Sequence, residues 1–421
     1  MLVKKYQQLF NKEINLIFLL FFLSVLIRIP IILIYGDTSL DHEWKHLVGN
    51  LIENGRLVYE SFDGILLPNL WMPPLYAYYL YIFSFIGLGN ENYIFLILLS
   101  QVFFASVSVI IFYKINKSFF SKKVSFYSSL LFSLIPLHLY ACGQISSITL
   151  QIFSYIFFIY LFFKISDKKN SSIIAFSILS GLILLLRSEF QAIFILSILY
   201  LLIFFKLSLK KVLLILLITT ITISPYLIRN FLIFEKITIA KTFGYNLWKG
   251  NHPHAMKNSL VEGSEKFDKN LIEKQAKRLE GFIILESIPR DLNYRLSFDR
   301  FFLQQAINNI KKEPKEYFIF FLKKAVSFIL IDIKSSDPDY YKPLHYLPVL
   351  ILGITSLIGM MISNKRSYKL NYLILIFFSL VGIFSIVSIL PRYKLIILPI
   401  QIIFTNIVLE KIFRKNFSKT A

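Results

Sequence analysis

The chain has 421 residues, of which 56% are hydrophobic and 17% charged, and its formal net charge is +21. This apolar excess excludes a soluble globular domain, and a single cysteine, Cys142, excludes a disulfide framework or a thiolate metal cluster. The basic residues fall in short clusters between apolar runs, so they report membrane topology rather than nucleic-acid binding.

The N-terminal MLVKKYQQLFNKE leads into an apolar run without a small-residue cleavage site, which predicts an uncleaved signal-anchor. Apolar runs at 14–35, 93–113, 124–141, 147–163, 172–187, 190–205, 212–228, 344–362, 371–389 and 395–409 predict about ten transmembrane helices in an all-α polytopic membrane protein. The stretch 74–88 is ambiguous, because it opens on a Pro pair and reaches only about 22 Å against a hydrocarbon core of about 30 Å. If it dips in without crossing, the clusters at Lys4, Lys5 and Lys12, at Lys114 to Lys123, at Lys164 to Lys169, at Lys206 to Lys211, at Lys365 to Lys369 and at Lys411 to Lys419 all face the cytoplasm. If it crosses, the middle clusters from Lys114 onward invert, against the positive-inside bias.

The first arrangement places both termini in the cytoplasm and gathers the unusual polar residues on the outer face. These are the loop 36–78, the turn Gly143 to Ser146, Arg187-Ser188-Glu189, Arg229-Asn230, the long segment 231–343 and Pro391-Arg392-Tyr393. The chain then divides into a membrane core at 1–230, an outer loop and helical segment at 231–343, and C-terminal transmembrane helices at 344–421.

Loop 36–78 holds Asp37, Asp41, Glu43, Glu53, Glu60 and Asp63 against only Lys45 and Arg56. A carboxylate held beside the bilayer can deprotonate a hydroxyl brought to a lipid-borne electrophile; the plain alternative is a solvated acidic loop. Asp41 and Glu43 stand just before Trp44 and a helical stretch, where they would point about 200° apart, so one can face a reaction centre while the other binds substrate or solvent.

Arg187 and Glu189 separate two apolar spans, which fits either a local ion pair or anion binding by Arg187. Arg229 ends a span kinked at Pro225, and Arg392 with Tyr393 precedes the last span. Each arginine alone could anchor the interface, but three on the face of the acidic loop suggest a lipid-phosphate site, since guanidinium matches phosphate oxygens bidentately. In the long outer segment a turn-rich passage offers Tyr245, Trp248, Asn251 and His252 as a polar and aromatic patch for a sugar. His252 and His254 lack a third ligand, so no metal or other cofactor is predicted. Residues 259–280 and 291–312 read as helices, the second with Leu292, Leu296, Leu303, Ala306, Ile307 and Ile310 on its apolar face. Lys323 and Lys324 interrupt the run 317–333, which predicts an interfacial helix with snorkelling lysines.

In order, these pieces resemble bacterial multispanning glycosyltransferases with the GT-C fold, in the family of the protein O-mannosyltransferases and the lipid A aminoarabinose transferases. The matching stretches are Asp41, Glu43 and Trp44 with Asn50, Leu51 and Gly55; Met72-Pro73-Pro74-Leu75-Tyr76; SGLILLLRSE ending at Arg187 and Glu189; SPYLIRNFLIFEKITI; GYNLWKGNHP; and PRYKLIILPI. Relatives often carry adjacent Asp-Glu where His42 here separates Asp41 from Glu43, and some carry a large C-terminal soluble domain beyond the last span. The resemblance implies a polyprenyl-phosphate-linked sugar as donor, such as one on undecaprenyl phosphate, and a lipid, polysaccharide or protein as acceptor. Asp41 or Glu43 would be the base, with Arg187, Arg229 or Arg392 on the departing phosphate and Glu189, Tyr245, Trp248, Asn251, His252 and Tyr393 around the substrate. It further implies a bacterial inner-membrane protein with a periplasmic site and no nucleic-acid partner. A lipid-linked sugar flippase is the alternative, and it requires ionisable groups through the bilayer midplane, of which these spans read as nearly free.

Overall fold

A computed structural model of the protein describes residues 13–62, 65–87, 93–166, 169–253, 255, 288–331, 343–363 and 367–417. The first half comprises α1 (Glu13–Tyr35), α2 (His42–Asn54), an antiparallel hairpin of β1 (Val58–Phe62) and β2 (Ile65–Pro68), α3 (Pro74–Ile86), α4 (Tyr93–Asn116), α5 (Lys122–Leu134) and α6 (Pro136–Ala141). There follow α7 (Ile148–Ile165), α8 (Asn170–Leu186), α9 (Phe190–Ile203), α10 (Leu209–Phe234), α11 (Phe243–Lys249), α12 (Tyr294–Lys312) and α13 (Pro314–Ile329). The chain closes with α14 (Pro343–Ile362), α15 (Tyr368–Ile386), a 3-10 turn (Pro391–Ile396) and α16 (Leu398–Phe417). The sequence 259–280, read above as helical, lies outside the described residues.

The ends of the bundle are defined by side-chain pairs. Helices α1 and α4 are antiparallel: Glu13 pairs with Lys117 at 2.5 Å at one end, Phe21 meets Phe103 edge-on midway, and Gly36 abuts Leu98 at the other. The chain between them therefore leaves and re-enters at the same end. Helix α3 forms a hairpin with the first turns of α4, through Tyr76 to Gln101 at 3.1 Å, Tyr79 to Ser100, and Gly87 against Tyr93. It does not travel to the opposite end, which is the non-crossing arrangement that the basic clusters favour. Among the described residues, members of four of these clusters meet at the Glu13 end: Lys114 and Lys164 both lie about 6 Å from the Tyr160 ring, Lys369 lies 5.4 Å from Phe163, and Lys411 bonds the Ile362 carbonyl at 2.6 Å.

Among the described helices, α1, α4, α7, α10 and α15 are long and apolar enough to cross a membrane alone. Of the other five expected spans, 172–187 and 190–205 form helices of 17 and 14 residues, 344–362 carries Pro348, and 395–409 opens in a 3-10 turn. The run 124–141 breaks at Ile135, whose backbone is extended at φ −59°, ψ 121°, because Pro136 removes an N–H and pushes its predecessor out of the α region. Small residues set the closest helix approaches, as expected where apolar lipid supplies no drive to associate. A Cβ on Gly359 of α14 would fall on the Phe404 carbonyl of α16, while one on Gly382 would meet nothing within 4 Å. Gly359→Ala should cost about 1–3 kcal/mol by overpacking, read as a lowered thermal midpoint in detergent, and Gly382→Ala should leave the midpoint in place.

The near-absence of ionisable groups inside the spans is corrected by Arg28 of α1. Its guanidinium is fully buried, donating to Ser24 Oγ at 2.6 Å and to Ser133 Oγ at 2.9 Å, with His138 Nδ1 accepting at 3.0 Å. These bonds tie α1 across the α5–α6 break. They form one local knot rather than a distributed relay.

Two readings of the outer segment change as well. Of the predicted stripe on α12, Ala306 is buried and Leu303 and Ile310 pack beside it, whereas Leu292 and Ile307 stay exposed and Arg295, Asp299 and Phe302 are buried in addition. The Asp299 carboxylate accepts from the N–H groups of Gly244 and Tyr245, capping α11 from outside, so a passage rich in turn residues is helical. Arg295 lies 4.2 Å from the Trp71 ring and 5.2 Å from Tyr59, which binds the β-hairpin to α12. In α13, Lys323 is exposed but Lys324 is fully buried, so it does not snorkel.

Candidate active site

The centre of the Asp37 end is the turn after α6. Asp37 follows α1 directly; its N–H donates to the Gly143 carbonyl at 2.9 Å, and its Oδ2 accepts from the Ile145 N–H at 2.6 Å. Gln101 of α4 holds the same turn by donating to the Cys142 and Gln144 carbonyls at 3.1 and 2.9 Å, and is itself fixed by the Tyr76 hydroxyl. Two residues further along, Ser147 Oγ accepts from Arg187 Nη1 at 3.3 Å. A carboxylate and a guanidinium from distant parts of the chain are thus docked on one five-residue turn.

Arg187 sits where α8 ends, in extended backbone, with Nε donating to Glu189 Oε1 at 2.7 Å. Gln151 of α7 donates to the same oxygen at 3.2 Å, so Glu189 is held from both sides. The Arg187 guanidinium lies 5.5 Å and that of Arg392 5.8 Å from the centre of the Tyr393 ring, and Tyr393 stacks on Phe384 at 4.7 Å. Burial pushes the Asp37 carboxyl above the ordinary aspartate range, partly offset by the Ile145 N–H, and the nearby Asp41 charge pushes it further up.

Asp41 is the exposed N-cap residue of α2, with Ser39 Oγ donating to its Oδ1 at 3.2 Å, and Glu43 is half-buried in the first turn. Both positions suit a helix N-terminus, where negative charge is favourable. Trp44 is buried edge-on against Tyr76 at 4.7 Å, which locks α2 onto α3.

Arg229 is held elsewhere. Its Nη1 donates to the Asn69 carbonyl at 3.1 Å and to Asn230 Oδ1 at 2.6 Å, and its Nη2 to the Leu57 carbonyl at 3.3 Å. It clamps the base of the β-hairpin to α10.

Trp248, Asn251 and His252, expected around a sugar, are buried. Trp248 packs on Phe302 at 4.7 Å in a small core under α12, and Asn251, fully buried, donates to the carbonyls of Leu247, Ile386 and Val387. His252 Nδ1 accepts from the Ala255 N–H at 3.2 Å. Tyr245 is half-buried, 5.2 Å from Trp71. Glu189 and Tyr393 do converge with Arg187. Sequence reasoning passed over Asp37, Gln101, Ser147 and Gln151 as site residues; the available signal was an acid immediately after a span and lone glutamines inside apolar helices.

No protein-family model matches the sequence, and none of the curated proteins matches it. In fold, the chain is similar to the archaeal oligosaccharyltransferase AglB from Archaeoglobus fulgidus, solved with an inhibitory peptide and a dolichol-phosphate, at a TM-score of 0.55 and 12% identity over 95% of this chain and 50% of that one. A second structure of the Archaeoglobus fulgidus oligosaccharyltransferase, tethered with an acceptor peptide, gives 0.54 and 13% over the same shares. ArnT from Cupriavidus metallidurans bound to undecaprenyl phosphate gives 0.41 and 9%, over 94% of this chain and 77% of that one. The chain spans about half the length of the oligosaccharyltransferases it matches. It is a polytopic membrane protein with the GT-C fold.

Proposed function

We propose that the protein is an inverting glycosyltransferase that moves a sugar from a polyprenyl-phosphate donor to an acceptor hydroxyl at the outer, periplasmic face of a bacterial inner membrane. One observation carries the reading: Asp37 and Arg187 are docked two residues apart on the same turn, an acid for the nucleophile beside a cation for the leaving group. The acceptor proton passes to a carboxylate as the acceptor oxygen attacks the anomeric carbon. The bond from that carbon to the phosphate oxygen breaks, and polyprenyl phosphate departs with the electron pair. Phosphate is already a weak base, so the leaving group needs charge stabilisation rather than a proton.

Of the three acids at the start of the outer loop, Asp37 is the best placed base, because it is fixed by the turn and its raised pKa strengthens it near neutral pH. Asp41 keeps it basic, and Glu43 contributes to substrate placement. Arg187, oriented by Glu189 and Ser147, and Arg392 hold the phosphate, both within 6 Å of the Tyr393 ring. A phosphate-bearing isoprenoid is supported by the dolichol-phosphate in the oligosaccharyltransferase of similar fold.

The test is purified protein in liposomes with a labelled polyprenyl-phosphate sugar and an envelope extract as acceptor. Free polyprenyl phosphate should appear in step with label on the acceptor. Movement of intact donor across the bilayer without its cleavage would sink the transferase reading in favour of a flippase.

A further inference from the structure

Helix α13 enters the Asp37 end of the bundle among α14, α15 and α16. Phe328 packs on Phe384 at 5.3 Å, and Gly353 of α14 allows the Ile329 carbonyl to approach closely. The last carbonyls of α13 are satisfied from the first turn of α16 and the connection before it: Gln401 Nε2 donates to Ile329 O at 3.0 Å, and Lys394 Nζ reaches Leu330 O at 3.5 Å. On the same buried face lies Lys324, whose ammonium donates to Asn251 Oδ1 at 2.5 Å, to Val387 O at 2.9 Å and to Gly250 O at 3.2 Å. Gly250 is required there, since a Cβ would fall on the Val387 carbonyl.

These contacts have a common object. The segment from Val387 to Lys394 is pinned at its start by Lys324 and Asn251 and at its end by the bond from Lys394 to α13, and between the pins stand Arg392 and Tyr393. An ammonium whose partners here are all neutral oxygens is costly to bury, and a methionine would fill the same space, so packing alone does not account for a lysine. A lysine does what methionine cannot: it draws the turn at Gly250 and Asn251 and the Val387 carbonyl at the end of α15 to one point.

We infer that Lys324 is a positioning residue that sets Arg392 and Tyr393 against Arg187, so that the outer segment governs the grip on the donor phosphate. The inference rests on the phosphate-binding role proposed above for those residues. It assigns a function to a position outside the acid and arginine set.

The test compares the full-length protein with Lys324→Met in lipid nanodiscs, by amide hydrogen exchange and by binding of polyprenyl phosphate. Exchange should quicken across 386–394 and at 250–251 but not in α7 or α8, and affinity for polyprenyl phosphate should fall about tenfold, as loss of a charge-assisted bond predicts. The donor KM should rise with kcat nearly unchanged and the acceptor KM unmoved, a split that general destabilisation would not give. If Lys324→Met does not fold, Lys324→Gln, which keeps an N–H donor pair, should fold and move the same readouts less far. Unchanged exchange overturns the inference, and so does quickened exchange with unchanged phosphate affinity. Should the parental protein bind no polyprenyl phosphate, the proposed function fails instead, and the exchange arm still reads whether Lys324 holds the segment.

Discussion

Asp37→Asn is expected to lower sugar transfer by about 10²- to 10⁴-fold, the usual contribution of a general base, while binding of the lipid-linked donor persists. Asparagine is nearly isosteric and can still accept from the Ile145 N–H, so the turn should keep its place; it cannot take the acceptor's proton. The pH profile separates the acids. The base must be ionised, so kcat/KM should rise with pH through the Asp37 pKa, with its acid limb above the ordinary aspartate range because burial and the Asp41 charge both disfavour the carboxylate. Asp41→Asn removes a neighbouring negative charge, so the limb should move to lower pH with a modest loss of rate. If Asp41→Asn is dead and Asp37→Asn active, the base is Asp41, one of the two acids to which the family resemblance points. If both transfer at the parental rate, the outer acids are not catalytic.

Arg187→Lys should weaken polyprenyl-phosphate binding by about 10- to 100-fold. Lysine keeps the charge, but it cannot meet Glu189 and Ser147 together in the fixed fork that aims a guanidinium, so the phosphate loses its planar partner. Arg229→Lys is the contrast. Its donors are engaged by the Asn69 and Leu57 carbonyls, so its loss should lower the thermal midpoint through the β-hairpin and leave phosphate affinity in place. Isothermal titration with polyprenyl phosphate beside a thermal scan separates the two. The roles exchange if Arg229→Lys is the variant that loses the lipid.

The alternation of ten apolar segments and the gathering of lysines at one end were legible in the residues, because hydrophobic length and local charge act within each segment. That 74–86 turns back at one end of the bundle without travelling to the other agrees with the count of lysines. Helix α2 was equally readable, since Trp44, Leu47, Val48 and Leu51 repeat at helical spacing. Convergence of the acidic loop with Arg187 and Tyr393 on one end also followed from that count. The partner of each polar group did not. Asp37 meets Ile145 across 108 residues and Arg28 meets His138 across 110, and no local pattern encodes such a bond. Trp248, Asn251 and His252 have the composition of a sugar site, yet α12, α15 and Lys324 cover or occupy them, while Asp37, one residue beyond a glycine, is the acid the fold pins in place. Whether a polar side chain holds a helix or faces a substrate depends on what packs against it, and in this protein those neighbours come from helices far apart in the chain, brought together only by burial of the whole bundle.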